Sequence, residues 1–180
     1  DARGEYANAL GYLEQSLAIR REIGDKSGEG TTLNNLATTA HARGDYASAL
    51  GYLEQSLAIS REIGDKSGEG TTLNNISQIY SARGEYATAL GYLEQSLAIS
   101  REIGDASGYA TTAHNMACMP FERGDYEAAI PLFLEAYQTF KRIGSPNAEV
   151  SESYLNAIIE KIGVDRFKEI LGGLNQDSQD

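Results

Sequence analysis

A repeat with a period of 40 residues constrains the fold of this chain more than any other feature of its sequence. Segments 11–36 and 51–76 agree at 24 of 26 positions. The phrase GYLEQSLAI starts at Gly11, Gly51 and Gly91, and PLFLEAYQT from Pro131 is a diverged further copy. A period of this length is typical of stacked two-helix units, because one unit alone cannot bury its apolar face.

Within each repeat, apolar residues recur at the spacing of an amphipathic helix. Leu33, Leu36, Ala37 and Ala40 stand at i, i+3, i+4 and i+7, which places them on one helical face. A second stretch with the same spacing follows from Tyr46. No period-two alternation of the kind that indicates β-strands occurs. The sequence therefore predicts an all-α fold built from pairs of helices.

Capping residues predict where these helices begin and end. We expect Asp45 to cap one helix, Gly64 to end it, and Ser67 to start the next. Applied along the chain, the pattern predicts about nine helices, at residues 5–23, 27–43, 45–63, 67–83, 85–103, 107–122, 125–143, 147–162 and 164–173.

The stretch LNNLATTAHARGDYASALGYLEQSL, residues 33–57, resembles the tetratricopeptide repeat. The residues that carry the resemblance are Leu36, Ala37, Gly44, Tyr46, Ala49 and Ser56, and they recur one period later. The repeat is longer than the common form, as in the kinesin-light-chain type, and REIGDKSGEG is similar to bacterial members. The resemblance implies a right-handed α-solenoid of antiparallel helix pairs, with the first helix of each pair on a concave wall.

On this frame we expect a single solenoid domain over residues 1–174, followed by a polar tail at 175–180. It would comprise a half repeat at 1–26, full repeats at 27–66, 67–106 and 107–146, and a diverged capping pair at 147–174. The chain starts with a second helix that lacks its first helix. We therefore expect an uncovered apolar face there, able to self-associate, and further repeats upstream in a parent protein.

The charge of the chain limits its partners. A net charge of −11 disfavours binding to nucleic acid or to an anionic membrane surface, and it favours a neutral or basic protein or peptide. No apolar stretch is long enough to predict a membrane span, and no signal peptide is visible in the sequence. The single cysteine, Cys118, fits a cytoplasmic location.

A concave wall of first helices suits an extended peptide, so the polar face of each first helix is the predicted ligand-binding surface. Lysine and arginine are absent from these positions, which disfavours the family subclass that clamps a terminal carboxylate. The candidate residues are Asn34, Asn35, Thr38, His41, Asn74, Asn75, Gln78, Ser81, Tyr109, His114, Asn115, Cys118 and Glu122.

Asn35, Asn75 and Asn115 recur at one position of the repeat. A carboxamide both donates and accepts, so a ladder of them can grip peptide amides, and related repeats use asparagine in that way. The alternative is that each asparagine ties one repeat to the next or only solvates the wall. The third repeat changes this wall at Tyr109 and His114, which indicates either a selective pocket or drift toward the end of the array.

His114 and Cys118 are four residues apart on one helical face, a spacing compatible with a soft-metal site or a thiolate nucleophile. A structural zinc site needs four ligands, and a cysteine on a groove wall is usually only a small side chain. We therefore predict no catalytic residue, no metal and no cofactor. The predicted function is a protein-interaction scaffold. The alternatives are a ligand-sensing or self-associating segment of a signalling protein and, third, an enzyme that uses Cys118 and His114.

Overall fold

The computed structural model describes the backbone of residues 2–177 and the side chains of residues 8–173. Within that range it is all-α, and the helical repeat expected from the sequence is confirmed. Nine helices are present over the described backbone, with no strand: α1 Ala2–Glu22, α2 Lys26–Ala42, α3 Tyr46–Ile63, α4 Lys66–Ala82, α5 Tyr86–Ile103, α6 Ala106–Glu122, α7 Tyr126–Arg142, α8 Asn147–Ile162 and α9 Val164–Asp177.

Side-chain caps set the helix boundaries. Asp45 caps α3 by accepting the backbone N–H of Ser48, and Gly64 ends it in the left-handed conformation at φ 70°, both as predicted. The predicted start at Ser67 is wrong, because Asp65 accepts the N–H of Gly68 at 2.9 Å and the helix therefore begins at Lys66. α9 extends beyond its predicted end into the predicted tail, whose last residues, 178–180, lie outside the described part.

The helices form two compact units. Unit 1 comprises residues 1–103 and contains α1–α5. Its most extensive packing is within the pairs α2–α3 and α4–α5, which short connectors fold back on themselves, and α2 also contacts α4. Leu33, Leu36 and Leu53 are fully buried between these helices, at the apolar positions expected from the helical spacing.

Unit 2 comprises residues 104–180 and contains α6–α9. Its core is richer in aromatic side chains, since Phe133 stands where the other repeats have Leu53 and Leu93. Phe133 is fully buried among Ala117, Ile130 and Ile158, and Phe167 of α9 closes the same cluster.

One face of α1 is apolar and open to solvent. Ile19 is 57% exposed, whereas its equivalents in the next two repeats, Ile59 and Ile99, are 7% and 9% exposed. Tyr12, on the same helix, is 73% exposed. The equivalents of Tyr12, which are Tyr52 and Tyr92, are half-buried. α1 therefore exposes apolar residues at positions that the following repeats bury or half-bury.

Candidate functional site

A groove of about 350 Å³ lies in unit 1, between α2 and α4 and next to the end of α3. We call it groove 1. Four of the predicted ligand-binding residues line it, namely Asn34, Asn35, Thr38 and Asn75. They meet there because the i, i+4 stripe of polar residues on each first helix faces the neighbouring first helix. The structure thus gathers asparagines of two repeats around one groove.

Asn34 holds three helices together at the floor of groove 1. Its Nδ2 donates to the hydroxyl of Ser56 on α3 at 2.6 Å and to that of Thr72 on α4 at 3.0 Å. Its Oδ1 accepts from Nδ2 of Asn75 at 2.8 Å. Ser56 in turn donates to the carbonyl of Gly30 at 2.9 Å. This Asn34 cluster satisfies buried polar groups within unit 1.

Asn74, the equivalent of Asn34 one repeat later, is also engaged inside the unit. It is 6% exposed, and its Nδ2 donates to the hydroxyl of Ser96 on α5 at 2.6 Å. The inner asparagine of each NN pair therefore packs α2 or α4 against the following helix. The outer asparagine differs: Asn35 is exposed and Asn75 half-buried at the groove surface.

Groove 1 also contains charged residues that the sequence stripe did not indicate. Lys26, at the start of α2, and Asp65, the N-cap of α4, both line it. Nζ of Lys26 lies 3.7 Å from carboxylate oxygens of both Glu29 and Glu62. The prediction followed only the helical stripe, and neither residue belongs to it: Asp65 lies in a connector, and Lys26 is the first residue of α2. Continuing that stripe one turn toward the helix start would have found Ser27.

The other predicted residues lie outside groove 1. The His41 ring packs against Tyr46 with centroids 5.6 Å apart. In unit 2, the Tyr109 hydroxyl donates to the carboxylate of Glu135. Gln78 on α4 and Glu122 on α6 are exposed. Ser81 on α4 and Asn115 on α6 are half-buried.

A second groove, of about 200 Å³, lies in unit 2, and we call it groove 2. Its lining residues Thr111, His114, Phe140 and Asn147 occupy the repeat positions of Thr31, Asn34, Ser60 and Ser67 in groove 1, and Val150 completes it. The two grooves therefore form at the same place in the repeat. Groove 2 is smaller and more apolar because a phenylalanine replaces the serine.

His114 sits in an aromatic environment at the edge of groove 2. Its Nδ1 is 2.9 Å from the hydroxyl of the buried Ser151, and its ring packs edge-on against Phe133 and Tyr154 at 5.1 and 5.2 Å. Burial lowers the pKa of His114, because the imidazolium is poorly solvated there. The ring is therefore neutral at physiological pH.

Cys118 lacks the properties of an activated nucleophile. Burial, and secondarily the carboxylate of Glu122, raise the pKa of its thiol to about 11. A hydrogen bond from Tyr154 lowers the pKa of the thiol but does not offset these two effects. Only a small fraction is thiolate near neutral pH, whereas reactive cysteines have lowered pKa values. Among the side chains described, no group of three or more His, Cys, Asp or Glu residues is arranged to hold a metal ion. None of the described helices combines the length and apolarity needed to cross a bilayer.

The family model for the tetratricopeptide repeat matches residues 2–62 and 64–156. BtubC (BKLC) from P. vanneervenii has a similar solved structure, with a TM-score of 0.77, 20% identity and coverage of 92% of this chain and 70% of that one. A kinesin-light-chain-like protein with nearly identical TPR-like repeats, from Podosopora anserina, aligns with a TM-score of 0.66 and 20% identity, covering 97% of this chain and 88% of that one. A comparison with curated proteins gives no match.

The family model covers most of the chain, and the solved structures share its helical repeat fold. The chain belongs to the tetratricopeptide repeat family.

Proposed function

We propose that the chain is a scaffold that binds an extended, neutral or basic segment of a partner protein in groove 1. Tetratricopeptide repeats generally mediate protein–protein interaction and are typically non-enzymatic, which is the level at which the family itself informs function. The finer assignment, a peptide in this groove, is supported by one observation. Side chains of two repeats, Asn35 and Thr38 from one and Asn75 from the next, converge on a single cleft.

These side chains suit the main chain of a bound segment. A carboxamide supplies both a donor and an acceptor and can pair with a peptide unit whatever its side chain. Ile59 and Ile63 of α3 add an apolar edge to the same groove. Concave binding sites commonly combine apolar surface with a few polar groups that orient the ligand. With its single cysteine and its REIGDKSGEG stretches, the chain would do this in the cytoplasm of a bacterium.

Replacing Asn35 and Asn75 together by alanine should weaken binding of a peptide selected on the wild-type chain from a random dodecapeptide library. We expect about ten- to a hundredfold, since each carboxamide hydrogen bond contributes roughly 0.5–1.5 kcal/mol. Fluorescence anisotropy of the labelled peptide measures the change. Asn156→Ala, at an exposed asparagine of α8, is the matched control and should leave the affinity unchanged. An unaltered affinity in the folded double variant would refute binding in groove 1.

Self-association is a second candidate function, and the open face of α1 favours it. Ile19 and Tyr12 are exposed at positions that later repeats cover, and a second copy of the chain can cover them. We expect the mass measured by light scattering to rise with protein concentration, and Ile19→Glu to abolish the rise. Val164→Glu, at a site of similar exposure in unit 2, should leave it intact. A wild-type mass that stays monomeric at all concentrations rules this candidate out.

A further inference from the structure

We infer that groove 1 accepts a cationic hydrogen-bond donor, the guanidinium or ammonium group of an arginine or lysine in the bound segment. This inference deepens the proposed function and rests on it. It rests on the hydrogen bonds that Thr31, Thr38 and Asn75 already donate within the chain, and on the charges that surround the groove.

The threonine hydroxyls of groove 1 donate into their own helix. Thr31 Oγ1 donates to the carbonyl of Ser27, and Thr38 Oγ1 to the carbonyl of Asn34, both at 3.1 Å. A hydroxyl has one proton and two lone pairs, so each of these oxygens faces a ligand only as an acceptor. Thr31 and Thr38, whose hydroxyls could donate or accept as far as the sequence shows, therefore present acceptors to groove 1 in the folded chain.

Asn75 is oriented by the neighbouring repeat. Its Nδ2 donates to Oδ1 of Asn34 at 2.8 Å, and Asn34 is itself fixed through Ser56 and Thr72. Because the nitrogen and oxygen of a carboxamide point in different directions, turning Nδ2 toward Asn34 turns Oδ1 away from it. Asn34 thus acts as a positioning residue: it engages one N–H of Asn75 and orients the carboxamide so that its Oδ1 is directed away from Asn34, where we infer that it accepts from a ligand.

The charges of groove 1 favour a cation as well. Asp65 contributes a carboxylate to the lining. The ammonium of Lys26 lies 3.7 Å from carboxylate oxygens of both Glu29 and Glu62. Glu29 is also bound by Arg21 at 2.7 Å. Three carboxylates, those of Asp65, Glu29 and Glu62, thus face two cations around the groove, and the charge complementary to them is positive.

Groove 2 provides an internal comparison. Where groove 1 has Asp65, Asn75 and Thr38, the equivalent positions of unit 2 are Ser145, Leu155 and Cys118. The carboxylate and the two acceptors are thus all missing there, although the groove forms at the same place in the repeat. Acceptance of a cation is accordingly a property of groove 1 and not of every groove in this chain.

The test uses the whole chain and a random dodecapeptide library displayed on phage. We expect selected peptides to share a lysine or arginine. Replacing that residue by its neutral isostere, citrulline for arginine or norleucine for lysine, should weaken binding of the synthetic peptide about tenfold or more, as measured by anisotropy. Peptides that bind without any shared cation, or whose isostere binds equally well, would overturn the inference while leaving the proposed function standing. Failure to select any binder would defeat both.

Three variants test whether groove 1 favours a cation over an anion and whether the effect on peptide affinity arises at this groove. Asp65→Asn keeps an N-cap, since asparagine caps as well as aspartate, and should weaken the cationic peptide about three- to tenfold. Asp45→Asn makes the same change at a cap outside the groove and should have no such effect. Lys26→Gln removes the competing ammonium and should tighten binding. Tighter binding on Asp65→Asn together with weaker binding on Lys26→Gln would show an anion subsite and overturn the proposal.

Discussion

Phe133→Ala is expected to lower the free energy of unfolding by about 3–5 kcal/mol, the largest effect of any substitution considered for this chain. Phe133 is fully buried at the centre of unit 2. Its ring stacks on Tyr154 with centroids 4.9 Å apart and packs edge-on against Phe121 at 6.0 Å and His114 at 5.1 Å. Removing it empties the junction of α6, α7 and α8. Urea unfolding followed by helical circular dichroism measures the loss.

Phe133→Leu is the matched control for this prediction. Leucine occupies the equivalent position in the other repeats, as Leu53 and Leu93, so the backbone accommodates it. We expect a loss of about 1 kcal/mol, because the aliphatic side chain refills much of the volume but not the aromatic contacts. Hydrogen exchange should show reduced protection of the backbone amides of α7 and α8. A loss under 1 kcal/mol on Phe133→Ala would mean that this core is not packed as described.

Asn34→Ala is expected to cost about 2–3 kcal/mol, because it removes one hydrogen-bond partner from each of several buried or half-buried polar groups. The hydroxyl of Ser56, which is fully buried, loses its donor at 2.6 Å, and the carboxamide of Asn75 loses its acceptor. Thr72 loses a donor as well. Thermal and urea unfolding both measure the cost.

The adjacent Asn35→Ala is the control, since Asn35 is exposed on the same helix. It should change the free energy of unfolding by less than about 0.5 kcal/mol. Equal effects of the two substitutions would show that the inner asparagine does not tie the helices together. The pair therefore separates a packing role for Asn34 from the binding role proposed for Asn35.

The fold can be predicted from the sequence because the same signals for helix formation and helix ends recur in several repeats. Helical spacing, a glycine after the helix at Gly64 and an aspartate cap at Asp45 agree with one another. The start of α4 was misplaced because both Asp65 and Ser67 are good cap residues, and periodicity cannot choose between neighbours. The hydrogen bond from Gly68 to Asp65 makes the choice.

The candidate site follows from the sequence only in part. Helical spacing predicts a polar face on the first helices, but it does not distinguish an inner from an outer asparagine in each NN pair. The structure shows Asn74 buried and Asn35 exposed. Asp65 enters groove 1 from a connector and Lys26 from the first residue of α2, and both positions depend on tertiary packing. Whether the Thr38 hydroxyl faces a ligand as donor or acceptor likewise depends on its hydrogen bond to the carbonyl of Asn34, which spacing alone does not reveal.

The third repeat differs in sequence from the first two at a position where the side-chain packing of unit 2 also differs from that of unit 1. The repeat position of Asn34 and Asn74 is occupied by His114 and then by Tyr154, and these two rings pack against each other in unit 2. An aromatic cluster thus stands at the repeat position where unit 1 has the Asn34 cluster. This packing gives a structural reason for the divergence of His114, independent of any ligand.

Binding in groove 1 is tested most directly by the side-chain amide resonances of the asparagines during titration with the selected peptide. In ¹⁵N–¹H correlation spectra, we expect the carboxamide signals of Asn35 and Asn75 to shift progressively and saturate with the peptide, while that of Asn156 stays in place. Saturating shifts confined to residues of unit 2, with Asn35 and Asn75 unmoved, would contradict the assignment of the binding site.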